Sequence, residues 1–252
     1  MRIVAWNINH RAREKKIADQ LAEAIASLDP DVIVLTEYVH GPSRATFHAS
    51  LVQHGFCHLL MSERTPRENQ VLIAARSALE AGPIFAPAIA PSVPSNALHV
   101  RLPQDGLEIL GIRLPDYSRD LKTKRACWDW IIQTANAVKD RPFVIIGDFN
   151  TDPKYPPSEC GDRIGRLVDS GWQLGSPPDG ASFWSLGGHA VRIDHAFVSR
   201  HLVVERAAYV TSFGQYVFVG KELGALSDHA VLSIDVSHRP APPEDSPLNE
   251  FS

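Results

Sequence analysis

The chain has 252 residues, 44% of them hydrophobic and 21% charged, enough for one large α/β domain or two small ones, and the balance excludes disorder, collagen and coiled coil. Its 29 acidic and 25 basic residues give a formal charge of −4, so no global positive field holds nucleic acid or an anionic membrane, and any polyanion must be gripped locally. Three widely spaced cysteines, Cys57, Cys127 and Cys160, suit neither a disulfide framework nor a Cys-rich zinc site and point to a reducing cytoplasm.

Arg2 to Ile8 mixes Ile, Val and Trp and empties into Asn7-Ile8-Asn9-His10, which predicts a buried strand ending in a polar loop. Because the amino-terminal stretch turns polar so soon, and no apolar run approaches the roughly 20 residues of a membrane helix, neither secretion nor membrane insertion is expected. From Arg13 to Leu28, apolar residues recur at Ile17, Leu21, Ile25 and Leu28, a helical stripe closed by Asp29-Pro30. Val32 to Leu35 is a second buried strand, and it runs into Thr36-Glu37. A helix-like stretch follows from Ser43 to His54, then strands at Asn69 to Arg76 and Leu98 to Leu102 on either side of a Pro-rich surface loop. Glu108 to Leu114 is a strand ending at Arg113-Leu114-Pro115-Asp116, Lys122 to Val138 has helical spacing, and Pro142 to Asn150 is a core strand that runs straight into an acid and an amide. Short strands are expected at Arg192 to Val198, Val203 to Val210 and Ala230 to Val236, and the Pro-rich run 239–252 reads as a loose, flexible tail.

Asn7, Glu37, Asp148, Asn150, Asp194 and Asp228 with His229 all sit at or beside these strand boundaries. Any one of them is accounted for by a turn cap, since Asp and Asn bond to their own backbone. Together, carboxylates, amides and one imidazole at the ends of buried strands are what a divalent-metal-assisted phosphoester hydrolase needs, because hard cations take oxygen ligands.

The stretches Ile3-Val4-Ala5-Trp6-Asn7, Asp31-Val32-Ile33-Val34-Leu35-Thr36-Glu37, Ile146-Gly147-Asp148-Phe149-Asn150, Arg192-Ile193-Asp194-His195 and Ser227-Asp228-His229 resemble, in order, the motifs of the endonuclease/exonuclease/phosphatase superfamily, also called the deoxyribonuclease I-like fold. The resemblance implies a four-layer α/β sandwich, two mixed β-sheets packed face to face and flanked by helices, occupying residues 1–238. It implies Mg²⁺, with Mn²⁺ as a substitute, held by Glu37 with Asn7 beside it and Asp228 directly or through water. Asp148 would orient and deprotonate the attacking water, and Asn150, two residues along the same strand end, would hold the nucleophile or a phosphoryl oxygen. His229 would donate to a non-bridging oxygen, with Asp194 fixing its tautomer and favouring its protonated form, whereas His195 should point to the opposite face and be structural.

The chain also departs from the abasic-site endonuclease branch of that family. Asn9 stands where an acid is common, and Arg113 where that branch has a tyrosine. An arginine there either clamps a phosphate bidentately or forms a structural salt bridge. The basic run Arg119, Lys122, Lys124 and Arg125 reads as a solvated helix face or a nucleic-acid contact. Phe183-Trp184 either lines a pocket for a flipped or abasic sugar or belongs to the core, and core is expected for at least one of the two. Only 46 positions separate Asp148 from Asp194 and 34 separate Asp194 from Asp228, which leaves no space for long DNA-clasping insertions. The leading expectation is therefore a nuclease on DNA or RNA, with Asn9, Arg113 and Trp184 as substrate contacts. The alternatives are a phosphatase or phosphodiesterase for a small phosphoester such as an inositol phosphate or lipid headgroup, and a non-catalytic binding module. The sequence does not fix an oligomeric state, and a monomer is the simplest expectation.

Overall fold

Apolar runs that alternate with helical stripes fold here into two sheets placed back to back. The structure, a computed structural model, describes residues 1–9, 20–39, 41–65, 68–90, 92–114, 116, 120–184, 188–220 and 224–240. The first sheet orders its strands Leu202–Val210, Val231–His238, Arg2–Asn7, Val32–Tyr38, Gln70–Ala75, His58–Met61. The second orders them Glu80–Ala81, Ala97–Leu102, Leu107–Arg113, Phe143–Asp148, Asp194–Val198, Gln173–Leu174. Each is mixed: Arg2–Asn7 runs parallel to Val32–Tyr38 and antiparallel to Val231–His238, while Phe143–Asp148 runs parallel to Leu107–Arg113 and antiparallel to Asp194–Val198.

Alternation along the strands divides the apolar residues among three cores. Ile3, Val34 and Ile73 of the first sheet meet Val100, Ile109 and Ile146 of the second, and this layer joins the sheets face to face. On the outer side of the first sheet, Trp6, Ile33 and Leu72 pack against helices Gln20–Ala26 and Arg44–Gln53. On the outer side of the second, Leu110, Phe143 and Phe197 pack against Leu121–Val138 and Asp162–Asp169. The molecule is thus a helix, sheet, sheet, helix sandwich, as expected from the sequence. The longest helix starts at Asp120, whose side chain accepts the Thr123 N–H, a cap that satisfies one of the helix's free amides.

The expected strands recur with ends shifted by one to three residues. Strand His58–Met61 and helix Asp162–Asp169 were not foreseen: the first is half-exposed and the second buries only Ile164 and Leu167. The first half of the expected Arg13 to Leu28 helix, Pro115, Arg119 and residues 241–252 of the expected tail lie outside the described residues. Among those described, no helix is long and apolar enough to cross a membrane.

One glycine fixes how closely the strands at the site approach. Gly147 has φ of +144°, and a Cβ on it would lie 2.0 Å from the Ile112 main-chain oxygen. Gly147→Ala is expected to destabilise the fold by about 2–4 kcal/mol and to lower the thermal midpoint by about 5–10 °C. A thermal melt followed by circular dichroism checks this, and an unchanged midpoint would contradict the close approach.

Candidate active site

Strand register lines up the polar groups that the sequence leaves at strand ends. In the second sheet Arg113 is opposite Asp148 in the parallel pair, and Asp194 is opposite Asp148 in the antiparallel pair, so three charged side chains stand in a row across adjacent strands. In the first sheet Asn7 is opposite Thr36, next to Glu37, and Asp228-His229 lies just before the Val231–His238 strand. The two rows border one cavity of about 520 Å³, whose wall includes Asn9, Glu37, Arg113, Asp148, Asn150, Asp228 and His229. Asn7 and Asp194, 1% and 2% exposed, stand behind this wall.

Local backbone strain aims several of these groups. Non-glycine residues with positive φ among those described are Asn9, Asp29, Glu37, Asn150 and Cys160, and three of the five line the cavity. Glu37 sits where the pairing of Val32–Tyr38 with Gln70–Ala75 slips register, and such a bulge turns a side chain that regular alternation would direct elsewhere. Asn150 lies beyond the end of its strand with φ of +46°, so its proximity to Asp148 comes from a turn and not from strand alternation. In that turn the Asn150 N–H donates to Asp148 Oδ1 (2.8 Å), and its Nδ2 donates to Asp148 Oδ2 (3.1 Å) and to the Leu114 carbonyl (2.5 Å).

Both oxygens of Asp148 are therefore held, and Asn7 Nδ2 adds a bond to Oδ2 at 2.9 Å. Asn7 in turn accepts the Asn9 N–H at 2.9 Å. Burial, followed by the charge of Asp194, pushes Asp148 up to about 7, against the pull of His229, Arg113 and the Asn150 N–H. His229 shares a hydrogen bond of 2.8 Å between Nδ1 and Asp194 Oδ2. Burial works against its imidazolium, but Asp194, Asp148 and Asp228 prevail and hold it at about 9. The backbone around the pair is tied down as well: Ser182 Oγ accepts the Asp194 N–H at 3.0 Å, and Ser227 Oγ accepts the His229 N–H at 3.1 Å and donates to the Asn7 carbonyl at 2.7 Å.

Arg113 Nη2 lies 2.6 Å from Glu37 Oε1, and its Nε lies 3.9 Å from Asp148 Oδ2. Of the two readings open for this residue, the structure thus contains the salt bridge, although the guanidinium also forms part of the cavity wall. Phe183 lines the cavity with its ring centroid 4.8 Å from that of His229, whereas Trp184 is half-buried outside the lining. His195 faces away, as alternation requires, and its Nε2 bonds to the Thr151 carbonyl at 2.9 Å. Lys122 and Arg125 are exposed, as a solvated helix face predicts, but Lys124 is 4% exposed and reaches the cavity. Its inward position was legible in the sequence, because it shares the helical stripe of Trp128, Ile131 and Ala135. Tyr155 and Glu159 also line the cavity, and no motif marked them beforehand.

The donor set suits a hard divalent cation. Glu37 and Asp228 present carboxylates to the same space, and one ligand-type atom each from Asp148, Asp194 and His229 falls within 4.8 Å of the others. Burial, with the charge of Asp194 second, disfavours ionised Asp148, and a cation bound beside it would favour that ionised form.

Comparison with known proteins agrees with this geometry. The model of the "Endonuclease/Exonuclease/phosphatase family" matches residues 4–229. No curated protein matches the chain in sequence. Among solved structures, an endonuclease/exonuclease/phosphatase from Beutenbergia cavernae superposes with a TM-score of 0.74 at 17% identity, covering 96% of this chain and 72% of the other. A 3'-5' exonuclease from Neisseria meningitidis superposes at 0.68 with 20% identity, covering 93% and 99%. An AP endonuclease from Archaeoglobus fulgidus also superposes at 0.68, with 14% identity and coverage of 93% and 98%. The family match runs from within the first motif stretch, at Val4, through the other four to His229, and the same two-sheet sandwich recurs in these neighbours, so this chain belongs to the endonuclease/exonuclease/phosphatase family.

Proposed function

We propose that the protein is a divalent-metal-dependent hydrolase of phosphodiester bonds, with nucleic acid as its leading substrate class. The observation that carries this reading is geometric: across one cavity Asp148 is held by Asn7 and Asn150 and His229 is bonded to Asp194, beside the carboxylates of Glu37 and Asp228. Asp148 takes the proton of the attacking water, with Asn7 and Asn150 fixing both of its oxygens. His229, charged at neutral pH and oriented by Asp194, keeps Nε2 for a phosphoryl oxygen on which negative charge builds. Mg²⁺ or Mn²⁺, held by Glu37 and Asp228 with Asn7 adjacent, would supply charge neutralisation at the phosphate. Phe183 and Asn9 border the same space and are offered to the leaving group or sugar.

Nucleic acid leads because one Neisseria neighbour is described both as a 3'-5' exonuclease and, bound to a product DNA hairpin, as a 3' phosphatase, and an Archaeoglobus neighbour as an AP endonuclease. A small phosphoester is the second reading, favoured by the chain's acidic balance and by Asp116 and Glu159 in the cavity wall. The deciding experiment is hydrolysis by wild type and Asp148→Asn, with Mg²⁺, Mn²⁺ or chelator, of abasic duplex, 3'-phosphorylated DNA, single-stranded DNA, RNA and a generic phosphodiester. Metal-dependent cleavage of a nucleic acid, lost in the variant, is expected. Cleavage of the generic ester alone transfers the site to small phosphoesters, and no turnover on any of them overturns the hydrolase.

Arg113 yields a separate expectation. Its fork reaches Glu37 while forming part of the wall, so a substrate phosphate finds a planar donor already in place. Arg113→Lys, which keeps the charge and loses the fork, should raise KM about tenfold or more with a smaller change in kcat. Steady-state kinetics at fixed metal concentration checks this, and an unchanged KM leaves Arg113 as a salt bridge only.

A further inference from the structure

We propose that Lys124 is a positioning residue: its ammonium holds the main-chain oxygen of Asn150 and thereby keeps the Asn150 turn closed around Asp148. The proposal rests on the hydrolase reading above, in which Asp148 is the base. Lys124 Nζ donates to the Asn150 carbonyl at 2.7 Å, and the ammonium lies 5.7 Å from the centroid of the Tyr155 ring. At 4% exposure the side chain is nearly out of water, a costly place for a lysine unless it makes specific contacts.

What it contacts is the strained element of the site. Asparagine tolerates positive φ better than other non-glycine residues, but the conformation still costs energy and is held in place by its contacts. Three partners hold it here: Asp148, which accepts both the Asn150 N–H and its Nδ2, the Leu114 carbonyl, which also accepts from Nδ2, and Lys124, which donates to the Asn150 oxygen. The third comes from helix Leu121–Val138, anchored in the outer core through Trp128 and Ile131, so the turn is tied to a rigid element and not only to its own loop. Without that tie Asn150 is free to relax to negative φ, and its amide then leaves Asp148 Oδ1. The base loses its aim while Arg113 and the rest of the wall still bind the phosphate.

Lys124→Met, close in shape but without a donor, is compared with Lys124→Arg, which retains one. For Lys124→Met, kcat should fall about 10- to 100-fold with KM within about twofold of wild type. Hydrogen exchange of the Asn150 amide should quicken at least about tenfold, with no loss of thermal midpoint, since a buried charge has been removed. Lys124→Arg should recover part of the lost kcat. An unchanged kcat, a loss confined to KM, or unchanged exchange at Asn150 overturns the proposal; the second would make Lys124 a substrate contact. If wild type itself turns over no phosphoester, the hydrolase reading fails, and exchange at Asn150 alone decides whether Lys124 holds the turn.

Discussion

Asp148→Asn is expected to lower kcat by about 10³-fold while KM stays near wild type and the protein stays folded. The magnitude follows from what the substitution removes: a carboxylate that accepts a proton in the transition state, a contribution of about 10²–10⁴. In the proposed mechanism substrate binding would rely on Arg113 and the cation, and the substitution removes neither, so the effect belongs in kcat. Folding is protected because asparagine has nearly the same shape and replaces a group whose ionisation burial and Asp194 both oppose. The hydrogen bonds that hold Asp148 run from Asn7 Nδ2, Asn150 N and Asn150 Nδ2; an amide cannot accept them all, and because it does not titrate in the accessible pH range, residual activity should not be rescued by raising the pH. Steady-state kinetics with circular dichroism as a folding control checks the result. A loss of less than about tenfold would place the base elsewhere.

What the sequence showed and what it hid divide along a physical line. Ile3 to Trp6, Val32 to Leu35 and Phe143 to Ile146 are apolar runs flanked by polar breaks, and burial of such runs depends little on context, so strands and their polar ends were legible. Asn7, Glu37, Asp148, Asn150, Asp228 and His229 come together because those ends fall at one edge of a two-sheet sandwich. The contacts among them were not legible. The Arg113–Glu37 pair joins residues of two different sheets, and no spacing rule reports a distance across a sandwich. The positive φ at Glu37 and Asn150 sits on residues that are not glycine, so the usual marker of an unusual backbone was missing. Of Phe183 and Trp184, adjacent aromatics in one short strand, which one faces the cavity depends on the register with Ala190–Val191 and on the contact between Phe183 and His229.

His229 should show the second large effect, and its pH dependence tests the electrostatic account more sharply than its size. His229→Gln is expected to lower kcat/KM by about 10²–10³, the usual cost of losing a donor aimed at developing charge. In the proposed mechanism the base must be ionised in wild type, so activity is expected to climb as pH approaches about 7 from below, the value to which burial and Asp194 push Asp148. The acid must be charged, so activity falls as pH passes about 9, where Asp194, Asp148 and Asp228 hold His229 against the opposing effect of burial. The two apparent values belong to the coupled pair, and a cation beside Asp148 favours its ionised form and shifts the acidic limb lower. In His229→Gln the alkaline limb should disappear while the acidic limb remains. In Asp194→Asn both limbs should instead move down: the alkaline limb because the imidazolium loses the counter-charge bonded to Nδ1, and the acidic limb because Asp194 no longer opposes ionisation of Asp148. An alkaline limb that survives in His229→Gln assigns the acid to another group; one that stays put in Asp194→Asn means that Asp194 orients the ring without setting its charge.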